Sequence, residues 1–253
     1  MIHGLDKFRE RFAGLERQYV LIGGTATYLA LESAGLDPRA TKDLDIVLCL
    51  EALDAAFGAA FWAFVKEGGY DNIQQSTGDR IFYRFAKPKD NAFPAMLELF
   101  SAAPDGLKPP ADVTITRITI DDDIYSLSAI LMEGGYYEVL QAHRTVQDGL
   151  SVLNERGLIP LKAKAWLDLT KRKAGGESID SKNITKHRGD ILRLYRLLRP
   201  DERITLPAEV MADMGAFLAE LEKAGDLDLK VFGLGASRLQ DVVTTLKQVY
   251  QVT

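Results

Sequence analysis

The first 70 residues change repeatedly between short apolar runs and stretches in which apolar residues have helical spacing. Apolar side chains at every third or fourth position predict a helix, whereas a short apolar run or strict alternation predicts a strand. The pattern therefore predicts a polar-rich helix, a short buried strand, a second helix, an alternating strand and a very apolar helix. These elements are expected at residues 5–18, 19–22, 25–33, 43–50 and 53–66.

Strand patterns dominate the next part of the chain. Residues 73–86 have the pattern of a β-hairpin that turns at Thr77-Gly78-Asp79, and residues 96–101 and 113–120 are further strand candidates. The resulting order is helix, strand, helix, strand, helix, hairpin, strand, strand. This order predicts a mixed α+β core with a mixed β-sheet.

Helical periodicity replaces these patterns after about residue 150. Four helices are expected at residues 158–173, 182–198, 207–223 and 235–250. We therefore predict a core domain over residues 1–150 and a helical domain over residues 151–253.

Composition is that of an ordinary globular protein, with 47% hydrophobic and 26% charged residues. Cys49 is the single cysteine, so no internal disulfide can form, which fits a reducing cytosol. No apolar stretch of signal-peptide length follows Met1. The longest apolar run covers residues 55–65, whereas a membrane span needs about 20 residues. We expect a soluble cytoplasmic protein without a membrane partner.

Charge is distributed unevenly along the chain. The net charge is -5, which gives the whole protein no nucleic-acid signature. Residues 160–199, however, contain eleven Lys and Arg against four Asp and Glu. This segment either faces an anionic ligand or forms a solvated helix surface, and charge alone does not separate the two.

A glycine turn follows the first predicted strand at Gly23-Gly24-Thr25. Glycines let a phosphate approach the backbone, and the free N–H groups at a helix start can bind it. A plain strand-to-helix turn has the same sequence, so the turn alone does not establish a phosphate site.

Asp43 and Asp45 stand at alternate positions at the head of an apolar strand. Alternate strand residues point to the same face, so the two carboxylates project together while Leu44 and Ile46 enter the core. Like charges this close repel unless a cation lies between them, and carboxylate oxygens suit Mg²⁺ or Mn²⁺. The alternative is an exposed polar face on an edge strand.

The helical half contains a second group of candidates. Lys162 falls in the middle of the apolar face of its predicted helix, whereas Lys164 falls outside that face and is expected to face solvent. A lysine in this position either reaches past the apolar surface to water or serves a buried anion. His187 lies on the apolar stripe of the next helix and Asp190 at its edge, so Lys162 and Asp190 can pair. A histidine on such a stripe is more often a core residue than a catalyst.

The combination of the glycine turn, a helix and Asp43-Leu44-Asp45 resembles the signature of polymerase β-type nucleotidyltransferases. That resemblance implies a polymerase β-like nucleotidyltransferase core. It also implies a third carboxylate from a later strand, and Glu98 in Met96-Leu97-Glu98-Leu99 is the best candidate. The family more often has Asp there, and the alternative for Glu98 is a solvent-facing strand residue.

The whole layout resembles the AbiEii-like nucleotidyltransferases, the toxins of abortive-infection and type IV toxin–antitoxin modules. Their motif lysine and motif aspartate, on successive helices, match Leu161-Lys162-Ala163-Lys164 and Arg188-Gly189-Asp190-Ile191. The resemblance covers residues 19–198. It implies transfer of a nucleoside monophosphate from an NTP to an acceptor hydroxyl at a site between the two domains. Possible partners are an RNA, a tRNA or a protein as acceptor, and a cognate antitoxin.

The resemblance also assigns roles to individual residues. Asp43, Asp45 and Glu98 would hold two metal ions, or Glu98 would activate the acceptor, and Gly23-Gly24-Thr25 would hold the outer phosphates. Lys162 would neutralise phosphate charge, and Asp190 and His187 would lie near the nucleotide or the acceptor.

Two other functions remain open at this point. A small-molecule nucleotidyltransferase of the antibiotic-modifying type would keep the metal site but use an acidic acceptor pocket. A catalytically silent member of the fold would bind RNA or a protein. The positive segment argues against the first, and retention of both aspartates and Lys162 argues against the second.

Overall fold

The computed structural model describes residues 2–49, 52, 54–70, 72–76, 81–101, 116–118, 134–225 and 227–252. Its helices are α1 Leu5–Arg11, α2 Gly23–Ser33, α3 Ala55–Gly68, α4 Gly134–His143, α5 Glu155–Ala174, α6 Ser181–Leu194, α7 Ala208–Glu222 and α8 Leu239–Val249. Short 3-10 helices cover Tyr195–Leu197 and Leu229–Phe232. The strands are β1 Tyr19–Leu21, β2 Asp43–Leu48, β3 Asn72–Ser76, β4 Ile81–Ala86, β5 Met96–Ser101, β6 Thr116–Ile118, β7 Arg144–Gln147 and β8 Leu150–Leu153.

These eight strands form one mixed sheet in the order β6-β3-β4-β5-β2-β1-β8-β7. Strand β2 runs parallel to β5 and antiparallel to β1. Strand β4 runs antiparallel to β5, while β8 lies parallel to β1. The α+β class with a mixed sheet is therefore confirmed.

The chain forms two compact units that do not follow a single cut. The first unit comprises Met1–Leu29, Pro38–Ile120 and Arg144–Leu153, and the second comprises Ala30–Asp37, Asp121–His143 and Asn154–Thr253. The predicted division at residue 150 thus lies within β8, and helix α4 groups with the later helices rather than with the sheet.

The first unit buries one face of the sheet under aromatic side chains. Leu44, Ile46 and Leu48 of β2 and Leu97 and Leu99 of β5 belong to this core. Because strand residues alternate between faces, the intervening residues of both strands lie on the opposite face. The aromatic members from α1, β1 and α3 include Phe8, Phe12, Tyr19, Phe57, Phe61 and Phe64.

The second unit is helical. Helix α5 packs against α4, α6 and α7, and α7 packs against α8. Asn154 caps α5, since its Oδ1 accepts hydrogen bonds from the N–H groups of Arg156 at 3.1 Å and Gly157 at 3.4 Å. Asp180 caps α6 in the same way through the N–H of Lys182, at 2.9 Å. Such caps satisfy N–H groups that have no partner within the helix.

Most predicted elements are present, with differences at their ends. The first helix stops at Arg11 rather than residue 18, and the helix after the glycine turn already begins at Gly23. The hairpin of β3 and β4 is confirmed by antiparallel pairing. Its predicted turn at residues 77–79 lies outside the described residues. Strand β6 covers Thr116–Ile118 of the strand predicted at 113–120.

Helix α4 and the hairpin of β7 and β8 have no counterpart in the sequence prediction. The hairpin turns at Asp148 and Gly149, which both have positive φ angles, of 49° and 73°. An Asp-Gly pair between two strand-like runs is a strong signal for this type of turn. The hairpin was therefore predictable, and it supplies β8 as the neighbour of β1.

Within the described ranges, no helix combines the length and apolar character that crossing a membrane requires.

Candidate active site

The glycine turn and the Asp-x-Asp strand meet at the start of helix α2. The N–H of Ile22 donates to the backbone oxygen of Asp45 at 2.9 Å, and the N–H of Gly24 donates to Asp45 Oδ2 at 3.3 Å. Gly23 has a φ of 62°, and a Cβ there would lie 1.8 Å from Asp45 Oδ2. Glycine is therefore required here by both backbone conformation and space. The positive end of α2 faces the Asp45 carboxylate.

The two threonines of this turn have their hydroxyls engaged. Thr25 is fully buried, and its Oγ1 donates to the backbone oxygen of Asp43 at 2.6 Å. Thr27 Oγ1 donates to the backbone oxygen of Gly23 at 2.7 Å. The Thr25 side chain therefore joins α2 to β2, and any contact of Thr25 with phosphate would come from its backbone N–H.

Asp43 and Asp45 lie on the sheet face opposite the aromatic core. Both are half-buried, whereas Leu44 and Ile46 are completely buried. The alternation predicted from the sequence is therefore correct.

Glu98 lies directly beside Asp45, because the two residues are paired in the parallel register of β2 and β5. On its other side, Glu98 is paired with Arg84 of β4. Arg84 donates two hydrogen bonds to Glu98 Oε1, from Nε at 3.1 Å and from Nη2 at 3.0 Å. The side chains are 17% exposed for Arg84 and 10% for Glu98, so this is a largely buried ion pair. The sequence prediction missed Arg84, although a charged residue within Tyr83-Arg84-Phe85 requires a partner as much as Glu98 does.

The environment of Glu98 strongly favours its neutral form. The pKa of Glu98 is raised to about 8, chiefly by burial and in addition by the charge of Asp45 and a hydrogen bond with it. Arg84 opposes the rise but does not cancel it. Asp45 and Glu98 therefore behave as a coupled carboxyl pair.

The described part of the chain contains no group of three or more His, Cys, Asp or Glu placed to hold a metal ion, and the predicted ligand set of Asp43, Asp45 and Glu98 stays a prediction. Two features still suit Mg²⁺. Asp43 and Asp45 offer hard oxygen donors from one face, and the absence of a Cβ at Gly23 lets the Asp45 carboxylate lie against the glycine turn. Mg²⁺ usually takes only one or two protein carboxylates together with substrate phosphates. Two aspartates are therefore sufficient for such a site.

Lys162 and Asp190 form an ion pair inside the helical unit. Lys162 Nζ lies 2.8 Å from Asp190 Oδ2, and the side chains are only 7% and 2% exposed. Arg193 lies near the other carboxylate oxygen, at 3.7 Å. The predicted position of Lys162 on the buried face and its pairing with Asp190 are both observed. In this arrangement the lysine charge is neutralised by an aspartate rather than directed at an open surface.

Two neighbouring predictions have different outcomes. Lys164 was expected to face solvent, but its side chain is only 23% exposed and its Nζ lies 3.1 Å from Asp213 Oδ2. Asp213 also accepts a hydrogen bond from the Tyr136 hydroxyl at 2.8 Å, which ties Lys164 into the packing of α4, α5 and α7. His187 is half-buried on α6. Its predicted role in nucleotide binding stays a prediction.

Comparisons with known proteins give little further identification. No protein-family model matches the chain, and no curated protein is significantly similar to it in sequence. Among solved structures, the chain is similar to an antigenic nucleotidyltransferase-like protein from Paracoccidioides brasiliensis. That likeness has 14% sequence identity and a TM-score of 0.46, and it covers 96% of this chain and 90% of that one. It is too distant to assign a family.

Proposed function

We propose that the protein is a Mg²⁺-dependent nucleotidyltransferase whose site is built from the glycine turn and the Asp-x-Asp strand. One observation carries the proposal. The two motifs, about 20 residues apart in sequence, meet through the hydrogen bond from Gly24 N–H to Asp45 Oδ2. A plain strand-to-helix turn has no need for a carboxylate at this point. A phosphate site with a metal needs both parts.

In the proposed reaction, an acceptor hydroxyl oxygen attacks the α-phosphorus of an NTP. The bond from that phosphorus to the oxygen that bridges the α- and β-phosphates breaks, pyrophosphate leaves with that oxygen, and the hydroxyl proton passes to solvent water. Asp43 and Asp45 are the residues that would hold Mg²⁺. When bound, the ion would supply charge stabilisation to the triphosphate and the leaving group.

The protein's own groups perform the remaining work in this proposal. Gly23, without a Cβ, leaves the Asp45 carboxylate room to lie against the turn, and the N–H groups at the start of α2 bind phosphate oxygens. Thr25 fixes α2 to β2 through Asp43, so the phosphate-binding turn and the metal-binding strand keep one geometry. In this proposal, Lys162 and Asp190 form a buried ion pair within the helical unit and have no assigned catalytic step.

We further propose that the acceptor hydroxyl belongs to an RNA, a tRNA or a protein, and that the protein acts as a toxin of the AbiEii type with a cognate antitoxin. The support for this finer assignment is the sequence resemblance over residues 19–198. The excess of positive residues in 160–199 favours an anionic acceptor over a cationic small molecule.

The test is incubation of the purified protein with each labelled NTP, Mg²⁺ and a cell extract, followed by identification of the labelled species. Wild type should transfer label and release pyrophosphate. Asp43→Asn and Asp45→Asn should each lose at least ~1000-fold in rate, equivalent to about 4 kcal/mol, because a neutral amide is a poor Mg²⁺ ligand. Asp37→Asn is the matched control, because it makes the same change from carboxylate to amide at an exposed position. Wild type that consumes no NTP, or Asp45→Asn that remains active, would contradict the proposal.

A further inference from the structure

Three charged residues lie in a row across three neighbouring strands on the polar face of the sheet. Arg84 of β4 pairs in register with Glu98 of β5, and Glu98 pairs in register with Asp45 of β2. Side chains at directly opposed positions of adjacent strands are close enough to interact. The order therefore places Glu98 between a positive and a negative side chain.

The Arg84–Glu98 contact is a specific one. Two hydrogen bonds of Arg84, from Nε and Nη2, end on the same oxygen, Glu98 Oε1. A guanidinium that donates twice fixes the carboxylate in position and offsets its charge. In a largely buried position, such a pair persists only if its geometry is good, because both charges have lost water.

We propose that Arg84 is a positioning residue that holds Glu98 beside Asp45, so that Glu98 supports this aspartate and is not itself a third metal ligand. The inference rests on the proposed function, since it concerns the same metal site. Residues that hold metal ligands in place affect metal affinity or activity by about 10- to 100-fold when changed.

Two observations favour a supporting role over ligation. Glu98 Oε1 already accepts both Arg84 hydrogen bonds, so ligation through that oxygen would compete with a buried ion pair. In addition, the described ranges contain no group of three His, Cys, Asp or Glu placed to hold a metal ion. Asp43 and Asp45 with substrate phosphates satisfy the usual requirement of Mg²⁺ without Glu98.

Glu98→Gln separates the two roles. The amide oxygen can still accept from Arg84, and the amide N–H can donate to Asp45, but an amide is a poor ligand for a hard cation. Mn²⁺ binding to the full chain, measured by electron paramagnetic resonance without NTP, should fall no more than ~3-fold in Glu98→Gln. In Glu98→Ala, which has no side chain to support Asp45, Mn²⁺ affinity should fall ~10-fold or more. Asp45→Asn is the reference for the loss of a true ligand.

The second measurement tests Arg84 through steady-state kinetics. Arg84→Met should lower kcat ~10-fold with KM for NTP unchanged, and Arg84→Lys, which keeps the charge with fewer donors, should recover part of that loss. In a Glu98→Ala background, Arg84→Met should change kcat less than ~2-fold, because Arg84 then has no carboxylate to position. A merely structural role would lower thermal stability without this split between kcat and KM.

The outcomes are distinguishable from failure of the proposed function. If Glu98→Gln loses Mn²⁺ as strongly as Asp45→Asn, Glu98 is a ligand and this inference is overturned, while the metal site stands. An equal effect of Arg84→Met with and without Glu98 also overturns it. If wild type binds Mn²⁺ but transfers no nucleotide, the proposed function fails, and the binding series still decides the role of Glu98.

Discussion

The two units both bury charged side chains, but they do so in opposite ways. In the sheet unit, Asp45 and Glu98 lie next to each other with Arg84 as the positive partner in the row, so negative charge is in excess. In the helical unit, Lys162 and Asp190 form an oppositely charged pair that is more deeply buried, with side chains 7% and 2% exposed. The first arrangement sets two carboxyl groups side by side, whereas the second sets a carboxylate against a lysine.

This difference separates a candidate active site from a structural contact. Neighbouring carboxylates, one buried and one half-buried, raise the free-energy cost of folding, and a chain retains such a cost where the charge has a use, such as binding a cation. A closed ion pair inside a helical unit has no such remaining demand. The free energy of unfolding should therefore respond differently to substitution in the two regions.

The largest expected effect is on the closed pair. Lys162→Met should lower the free energy of unfolding by about 3–5 kcal/mol, because it removes the cation 2.8 Å from the buried Asp190 carboxylate, whereas Arg193 lies 3.7 Å from it. The double variant Lys162→Met/Asp190→Leu should recover most of this loss, since two apolar side chains replace two buried charges. Urea denaturation at pH 7 measures both.

Lys164→Met is the matched control for this prediction. Its ion pair with Asp213 is partly exposed, so the loss should be about 1 kcal/mol or less. If Lys162→Met stays within about 1 kcal/mol of wild type, the pair is not structural. That result would favour the predicted role of Lys162 in neutralising the phosphate charge of the nucleotide.

Glu98 in the sheet unit should make the free energy of unfolding depend on pH. Glu98 has a pKa of about 8 in the folded protein against 4.5 as its ordinary value, chiefly through burial and then through Asp45. Between these values, the unfolded chain loses the Glu98 proton while the folded protein keeps it, so stability falls as pH rises. We expect a loss of about 4 kcal/mol between pH 4.5 and pH 8, since stability falls by roughly 1.4 kcal/mol for each pH unit over most of this range.

Glu98→Gln has no proton to lose at this position and should flatten that part of the curve. The measurement is the free energy of unfolding of metal-free wild type and variant at several pH values, taken as the difference between the two proteins. Equal slopes for both would show that Glu98 titrates normally in the folded state.

Most helices and strands were predictable because apolar residues keep one regular spacing along each segment, and that spacing indicates a helix or a strand. Helices α5 to α8 and strands β2 and β5 follow directly from such patterns. The division into units was not predictable in the same way. Residues 30–37 and helix α4 group with the later helices, and β8 joins β1, through contacts between segments far apart in sequence. No local pattern contains that information.

The site was predictable in its local parts and not in its pairings. Alternation along β2 placed Asp43 and Asp45 on one face, and the helical wheel placed Lys162 on a buried face. Strand register decides that Glu98 lies between Asp45 and Arg84, and register depends on the whole sheet. For this reason the sequence suggested a third ligand, whereas the structure reveals an arginine bound to it.

A smaller effect is expected at the glycine turn. Gly23→Ala should lower stability by about 1–2 kcal/mol, because a side chain is strained at a φ of 62°, and its Cβ should displace the Asp45 carboxylate. Gly24→Ala is the matched comparison, since its Cβ would meet Thr41 Oγ1 at 2.7 Å and not Asp45. Mn²⁺ affinity should fall more in Gly23→Ala than in Gly24→Ala. The opposite order would show that the Gly23 side of the turn does not shape the metal site.

The smallest effect on stability is expected for Asp45→Asn, the change that should affect activity most. The variant loses a favourable interaction with the start of α2, which is worth up to about 1 kcal/mol. It also removes the repulsion between Asp45 and Glu98, which is present only when both are ionised. Because Glu98 has a pKa of about 8, that repulsion is weak at pH 6 and strong at pH 9. Metal-free Asp45→Asn should therefore melt close to wild type at pH 6 and be more stable at pH 9, by about 1 kcal/mol. Thermal melts at the two pH values, with Asp37→Asn as control, measure this difference. If Asp45→Asn is clearly less stable than wild type at both pH values, Asp45 is a structural residue like Asp190, and the contrast between the two units is lost.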